Sequence, residues 1–322
     1  YDETLADDVY SRIQAAQEKN SSTENTVYTY FEDELTDQII NDLMNIKGYT
    51  KKQATNLLYS GGLKVYTTQD SKIQNILDEE YADPSNYPDT VQYELDYALT
   101  VTDPDGNQVN YSKEMLQLYF QNEDPDFDLL FDSPEDGQTY VDKYKASILA
   151  NGSKVLAERV NFAPQPQSSM SVIDQHTGYV KALIGGRGEK TASLTLNRAT
   201  DTTRQPGSTF KILAAYSAAL DAGGLTLASV QDDAPYTYAG ANGKSVSNYD
   251  KRYRGFTTLR EAITDSINIV TVKTLAQAGV SLGWQYVQEY GFTTVDSRDM
   301  NEALALGGIT QGVSNLELTA AY

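Results

Sequence analysis

Arg204-Gln205-Pro206-Gly207-Ser208-Thr209-Phe210-Lys211 is the stretch from which the rest of the chain can be read. Pro206 and Gly207 close a loop. From Ser208 an apolar run (Phe210, Ile212, Leu213, Ala214, Ala215, Leu220) continues until Gly223-Gly224. This pattern predicts one helix beginning at Ser208 and buried over most of its circumference. Ser208 and Lys211 then share one face. A serine at a helix start lies beside free backbone N–H groups and the positive end of the helix dipole. An amine one turn further on, set in an apolar wall, gives up its proton more readily than a solvated lysine. Together they make a candidate nucleophile with an adjacent base. The plainer reading is a capping Ser208 and a solvated Lys211. An S-x-x-K spacing alone does not decide between the two.

A second pattern follows downstream. Residues 231–254 are rich in Tyr, Gly and Asn and read as a loop. Thr258-Leu259-Arg260-Glu261 has capping-box spacing and opens a helix through Ile263. That helix ends around Ser266-Ile267-Asn268, and a second one (Val270, Val272, Leu275, Ala276) runs on to Gly279. Ser266 and Asn268 therefore fall where two helices meet, in a turn that can point both side chains the same way. They are also good capping residues, which is the plainer alternative.

The chain has 322 residues, enough for two or more domains. It carries 25 Lys+Arg against 45 Asp+Glu, a formal charge of −20. That balance disfavours nucleic acid and anionic membrane surfaces as partners. The absence of cysteine excludes disulfides, zinc–thiolate sites and a cysteine nucleophile, and fits an exported bacterial protein. No stretch approaches the roughly 18 apolar residues of a membrane span, and no signal peptide opens the chain. The abrupt start at Tyr1 and finish at Tyr322 lead us to expect a fragment of a larger protein.

Toward the amino terminus, Leu5, Val9 and Ile13 suggest an amphipathic helix, Val27–Phe31 a short strand, and Leu35, Ile39, Ile40 and Leu43 a helix over Glu34–Met44. Lys51–Tyr59 reads as a helix ending at Gly61-Gly62, Leu63–Thr68 as a strand, and Asp70 as the start of another helix. Residues 82–164 form an acidic α+β insert. Within it Asp103-Pro104-Asp105-Gly106 is a hairpin turn. Asp103, Asp105 and Asn107 start like a calcium loop, but the closing Glu is missing, which favours a plain turn. Glu123–Asp128 reads as a solvated acidic run. From about residue 165, strands at Ser169–Asp174 and Tyr179–Ile184 flank the turn His176-Thr177-Gly178. His176, the only histidine, has no triad partner nearby and reads as structural or exposed. The glycines at 185, 186 and 188 lack the ending of a phosphate loop.

Ser208-Thr209-Phe210-Lys211 with Ser266-Ile267-Asn268 resembles the S-x-x-K and S-x-N motifs of penicillin-binding proteins. The flanks resemble the class A, bifunctional branch: Asn197-Arg198-Ala199-Thr200, Arg204-Gln205-Pro206-Gly207, Leu304-Ala305-Leu306-Gly307-Gly308, Gly312–Leu318 and Ala320-Ala321-Tyr322. Tyr59–Thr68 resembles the linker between glycosyltransferase and transpeptidase domains. The resemblance covers roughly residues 28–80 and 165–322. It implies an α+β penicillin-binding/serine β-lactamase-like transpeptidase fold. It also implies three parts: a linker or pedestal over 1–81, the insert over 82–164, and an incomplete transpeptidase domain over 165–322.

The activity so implied is a peptidoglycan D,D-transpeptidase. Ser208 would attack the carbonyl between the last two D-alanines of a stem peptide, and Lys211 would take its proton. Ser266 would relay a proton to the leaving nitrogen. Asn268 would bind the substrate amide, and the Ser208 N–H would supply half of the oxyanion hole. Stem peptides, lipid-linked glycan strands and β-lactams are the implied partners, with no metal or organic cofactor. The implied place is the extracytoplasmic face of the bacterial membrane, reached through an anchor and a glycosyltransferase half that would precede Tyr1.

One departure stands out. The family's third motif, K-[ST]-G, is missing; Lys244-Ser245 is followed by Val246 and precedes the second motif. In the family that motif lies on a later strand, so the 169–184 hairpin is expected to sit in an incomplete sheet. A serine β-lactamase-like hydrolase and a non-catalytic binding fragment are the competing readings.

Overall fold

The computed structural model describes residues 27–88, 92–239 and 244–322. The helix expected around Leu5, Val9 and Ile13 lies outside the described residues. The chain divides into two compact units. One comprises residues up to Gln74 with Met170–Gly185 and Lys190–Tyr322, and the other comprises Asn75–Ser169 with Gly186–Glu189.

The first unit opens with helix α1 (Tyr30–Asn45). The strand expected at Val27–Phe31 does not form. Thr29 Oγ1 accepts from the Glu32 N–H (3.2 Å), and the Glu32 carboxylate accepts from the Thr29 N–H (2.7 Å). This capping box draws Tyr30 and Phe31 into the first helical turn, where both are buried. Helix α2 (Lys51–Ser60) is started the same way by Thr50 and Gln53. The expected strand Leu63–Thr68 is also absent; the segment is irregular and Tyr66 is 92% exposed. Its alternating pattern finds no ladder partner among the described residues. Asp70 accepts from the Lys72 N–H (2.9 Å) and so starts helix α3 (Ser71–Ala82), inside which the first unit's opening segment ends.

The second unit is built on strand β1 (Gln92–Thr102). It pairs antiparallel with β2 (Gln108–Ser112), β3 (Leu130–Phe131) and, over nearly its whole length, β4 (Lys154–Gln165). Leu95, Tyr97, Leu99 and Val101 alternate inward and are buried. They join one apolar cluster with residues of α4 (Lys113–Gln121) and α5 (Pro134–Leu149). The Asp103 turn joins β1 to β2. Its carboxylate accepts from the N–H groups of Asp105 (3.0 Å) and Asn107 (2.8 Å), the geometry of a side-chain-closed turn.

The first unit resumes with the hairpin β5 (Met170–Asp174) and β6 (Tyr179–Ile184), turning at Gly178 with φ 71°. Among the described residues β5 pairs with β6 alone. Exposed His176 sits in the turn. Residues 68–74 attach to β6. The Asp70 N–H donates to Lys181 O (2.8 Å), and the Gln74 amide exchanges two bonds with the Leu183 backbone (3.0 Å each).

The Ser208 segment is helical but is not the single regular helix expected. It begins as a 3₁₀ turn (Gly207–Thr209), widens to a π-helix (Ile212–Tyr216) and ends as α6 (Ser217–Asp221). Gly207, at φ 56°, forms the tight start, and the Ser217 hydroxyl donates to Leu213 O (2.6 Å) near the end of the widened turn. The region read as a loop at 231–254 holds short ladders. β7 (Val230–Asp233) pairs with β10 (Gly255–Thr258), and β8 (Tyr236–Thr237) with β9 (Ser245–Val246). The capping box at Thr258 and Glu261 starts α7 (Leu259–Thr264) as its spacing predicts. Then come α8 (Asn268–Ala278), α9 (Val280–Glu289) and α10 (Asn315–Ala321). Phe210, Leu213, Ile269, Leu275, Leu304 and Val313 form the centre of the surrounding core.

Candidate active site

Lys211 is 3% exposed, which rules out the solvated-lysine reading. Phe210, next to it, and Leu213, two residues on, are buried with it. Its Nζ donates to three oxygens: Ser266 O (2.6 Å), Ser266 Oγ (2.8 Å) and Asn268 Oδ1 (2.7 Å). These match the three donors of an ammonium group. Burial nevertheless pushes the amine down to about 8 from its ordinary 10.5. The acceptors are neutral dipoles, whereas desolvation acts on the full charge.

Ser208 lies in the 3₁₀ turn, three residues before Lys211, and is exposed. It is not among the three acceptors of the amine. Neither does it cap: the residue at the cap position is Pro206, without a side-chain bond. Three of the four candidate side chains are thus joined by direct hydrogen bonds, and the fourth, Ser208, lies three residues before Lys211 in the 3₁₀ turn that opens the same helical segment.

The turn between α7 and α8 has an unusual backbone. Ser266 takes φ 53°, the left-handed region that a serine adopts at a cost of roughly 1–2 kcal/mol. In this conformation its carbonyl and hydroxyl oxygens both meet Lys211 Nζ. The capping alternative fails here as well. Ile267 occupies the N-cap of α8, without a side-chain bond, and Asn268 is the first helical residue. The Asn268 amide spans two partners, accepting from Lys211 and donating through Nδ2 to Ser247 O (2.9 Å).

Two residues that the sequence reading did not single out stand behind this turn. Asn248 Oδ1 accepts from the Ile269 N–H (3.1 Å), while its Nδ2 donates to the Asp233 carboxylate (2.8 and 3.0 Å) and to Arg252 O (2.8 Å). Asp233 is fully buried and also accepts from the Arg254 N–H (2.9 Å). The only sequence signal was an Asn and an Asp within a polar loop.

The segment carrying Ser208 rests on residues 307–313. Arg204 and Val313 form an antiparallel bridge (3.0 and 2.9 Å), and the Gln205 amide exchanges hydrogen bonds with the Ile309 backbone. Gly307, at φ 73°, brings its α-carbon so close to Gly207 that an added Cβ would stand 2.5 Å from Gly207 O. Gly312 meets the Arg204 backbone in the same way. The glycines of these two motifs are there because backbone lies against backbone.

Residues 169–311 match the family model for the penicillin-binding protein transpeptidase domain. The fold and the paired Ser-x-x-Lys and Ser-x-Asn motifs agree with that match, which makes this stretch a penicillin-binding protein transpeptidase domain in kind. The chain is similar to proteins named penicillin-binding protein 1A. It is 27% identical over 336 residues to penicillin-binding protein 1A of Clostridium acetobutylicum, covering 100% of this chain and 32% of that protein. It is 39% identical over 173 residues to penicillin-binding protein 1A of Clostridium tetani, covering 49% of this chain and 21% of that protein. The chain therefore spans about a third or less of these relatives' length. Two solved structures share the fold. Penicillin-binding protein 1A from Haemophilus influenzae has a TM-score of 0.52 at 21% identity, over 88% of this chain and 45% of that one. PonA1 from Mycobacterium tuberculosis, in complex with penicillin V, has a TM-score of 0.53 at 16% identity, over 90% and 57%.

Proposed function

We propose that this chain belongs to a peptidoglycan D,D-transpeptidase that crosslinks stem peptides through an acyl-serine. The observation that carries the reading is the buried Lys211 amine, bonded to Ser266 and Asn268 and one helical turn from Ser208. In this scheme Lys211 in its neutral form takes the Ser208 proton as Oγ attacks the carbonyl between the terminal D-alanines. Ser266 Oγ, already bonded to Nζ, passes the proton to the leaving D-alanine nitrogen. The Asn268 side chain orients the substrate amide. The Ser208 N–H, on the 3₁₀ turn, is one donor to the oxyanion. An acceptor amine from a neighbouring stem peptide then attacks the acyl-serine and regenerates Ser208; water at that step gives a carboxypeptidase product instead.

The same reading assigns residues 1–81 to an interdomain linker, 82–164 to an insert and 165–322 to the transpeptidase domain. It places the whole protein at the extracytoplasmic face of the bacterial membrane, with a glycosyltransferase domain elsewhere in the full-length protein. β-Lactams would acylate the same serine. No K-[ST]-G triplet occurs in the 322 residues, and Ser245-Val246 is part of the small β8–β9 ladder.

A fluorescent penicillin tests the proposal. Stable labelling of the chain that disappears in Ser208→Ala is the expected result. Rapid turnover of the penicillin would favour a β-lactamase-like hydrolase, and labelling that survives Ser208→Ala, or no labelling at all, would leave a non-catalytic binding role.

A further inference from the structure

We propose that Asn248, held by the buried carboxylate of Asp233, is a positioning residue that fixes the Ser266–Asn268 turn against Lys211. This rests on the reading of the site given above. Backbone bonds tie Ser266 and Ile267 back to α7 (to Ile263 O, 3.3 Å, and Ala262 O, 2.9 Å), but they do not cap the start of α8. Ser266 is in the left-handed region, and the N-cap residue Ile267 has no side-chain oxygen for the first free N–H groups of α8. Asn248 supplies that oxygen from 21 residues upstream, accepting from the Ile269 N–H (3.1 Å). Its neighbour Ser247 accepts from Asn268 Nδ2 at 2.9 Å, so two consecutive residues grip the backbone and the side chain that follow the turn.

The grip is itself anchored. Asn248 is 3% exposed and Asp233 is 0% exposed. Both carboxylate oxygens of Asp233 receive the Asn248 amide, and one also receives the Arg254 N–H. The carboxylate fixes which way the amide faces: Nδ2 must point at Asp233, which leaves Oδ1 for Ile269. Asp233 sits on β7, paired to β10, so the orientation of the turn is set by a ladder rather than by a free loop. Among the described residues no hydrogen bond of Asn248 or Asp233 reaches Ser208, and the proposed role acts only through the turn.

The test compares the chain with Asn248→Ala and with the isosteric Asp233→Asn. Three quantities are read on folded protein: the first-order rate of acylation by the fluorescent penicillin, the hydrogen exchange of the Ile269 amide, and the NMR resonance of the Lys211 Cε. We expect acylation to slow about 10- to 100-fold in Asn248→Ala and less in Asp233→Asn. Ile269 exchange should accelerate, and the Lys211 resonance should move as its acceptors are displaced. A residue with a merely structural role would lower the melting temperature and free the Ile269 amide, but leave the acylation rate and the Lys211 resonance unchanged in the folded fraction. That outcome overturns the proposal. Should Asn248→Ala not fold, Asp233→Asn decides on the same criteria. Should the unmodified chain take no label, the functional reading falls separately. The Lys211 signal then decides the positioning role: movement supports it, and no movement overturns it.

Discussion

Lys211 Nζ and the carbonyl oxygen of Ser266 lie 2.6 Å apart across 55 residues of sequence. The contact brings a helix interior against a strained turn, and it fixes where a proton can go. The ionisation of the amine is therefore coupled both to stability and to the proposed chemistry.

The coupling has a definite sign. Burial lowers Lys211 to about 8 in the folded chain, against an ordinary 10.5. Below pH 8 both the folded and the unfolded chain hold the proton, and the folded state carries the full penalty of a buried charge. As the pH rises from 8 toward 10.5, the folded chain releases the proton while the unfolded chain keeps it, so stability rises. The gain amounts to about 3 kcal/mol. Urea midpoints measured from about pH 7 to about pH 11 should show it as a difference between the chain and Lys211→Met, which removes the contribution of the other titrating groups. A flat difference curve would refute it. Acylation by penicillin should rise with pH and reach half its plateau near pH 8.

Ser208→Ala should separate chemistry from folding. The side chain is exposed and is not an acceptor of the buried amine. Its removal should change stability by no more than about 0.5 kcal/mol. Penicillin labelling should vanish. A denaturation midpoint that fell substantially would show that the serine has a packing role instead.

Gly307→Ala tests the cradle beneath Ser208. The new methyl would stand 2.5 Å from Gly207 O and 2.6 Å from Gly207 N, at φ 73°. Backbone cannot yield as a flexible side chain does, and we expect a loss of about 2–4 kcal/mol with slower acylation. Gly178→Ala is the control: φ is 71° but nothing lies within 4 Å of the added carbon. It should cost only about 1 kcal/mol and leave acylation alone. Equal losses in the two variants would contradict the close-contact argument.

The pair Lys190–Asp33 (2.7 Å) holds the 190–197 segment to α1, with side chains only 11% and 6% exposed. Asp33 also accepts from the Leu194 N–H (2.8 Å). Lys190→Met leaves a buried carboxylate without its cation and should destabilise by about 3–5 kcal/mol. The double variant Asp33→Asn with Lys190→Met should recover most of that loss, as read by urea denaturation in a double-mutant cycle. No recovery would mean that packing, not charge, is what Lys190 contributes.

Local signals in the sequence carried over well where the local chain decides the outcome. The Thr258–Glu261 capping box, the hairpin turning at Gly178 and the Asp103 turn are each closed by residues within a few positions of one another. The strands expected at Val27–Phe31 and Leu63–Thr68 were wrong for two different reasons. At the first, a four-residue capping box, Thr29 to Glu32, outweighed β-branched and aromatic propensity. At the second, the propensity was present but the partner strand was not. The Ser-x-x-Lys and Ser-x-Asn residues were visible as types in a spacing, whereas the three bonds of Lys211 depend on packing across more than fifty residues. Asn248 and Asp233 were not visible at all. Their roles come from a ladder between β7 and β10, and nothing in a Tyr/Gly/Asn-rich loop marks which polar residue will be buried.

Ser266 occupies a position that glycine would fill with less effort, since its φ of 53° suits a residue without a β-carbon. A library randomised at this codon and screened only for folded, protease-resistant chains should drift toward glycine or asparagine. The same library screened for acylation should return serine. The gap between those two outcomes would measure how far this turn has been shaped by its reaction rather than by its stability.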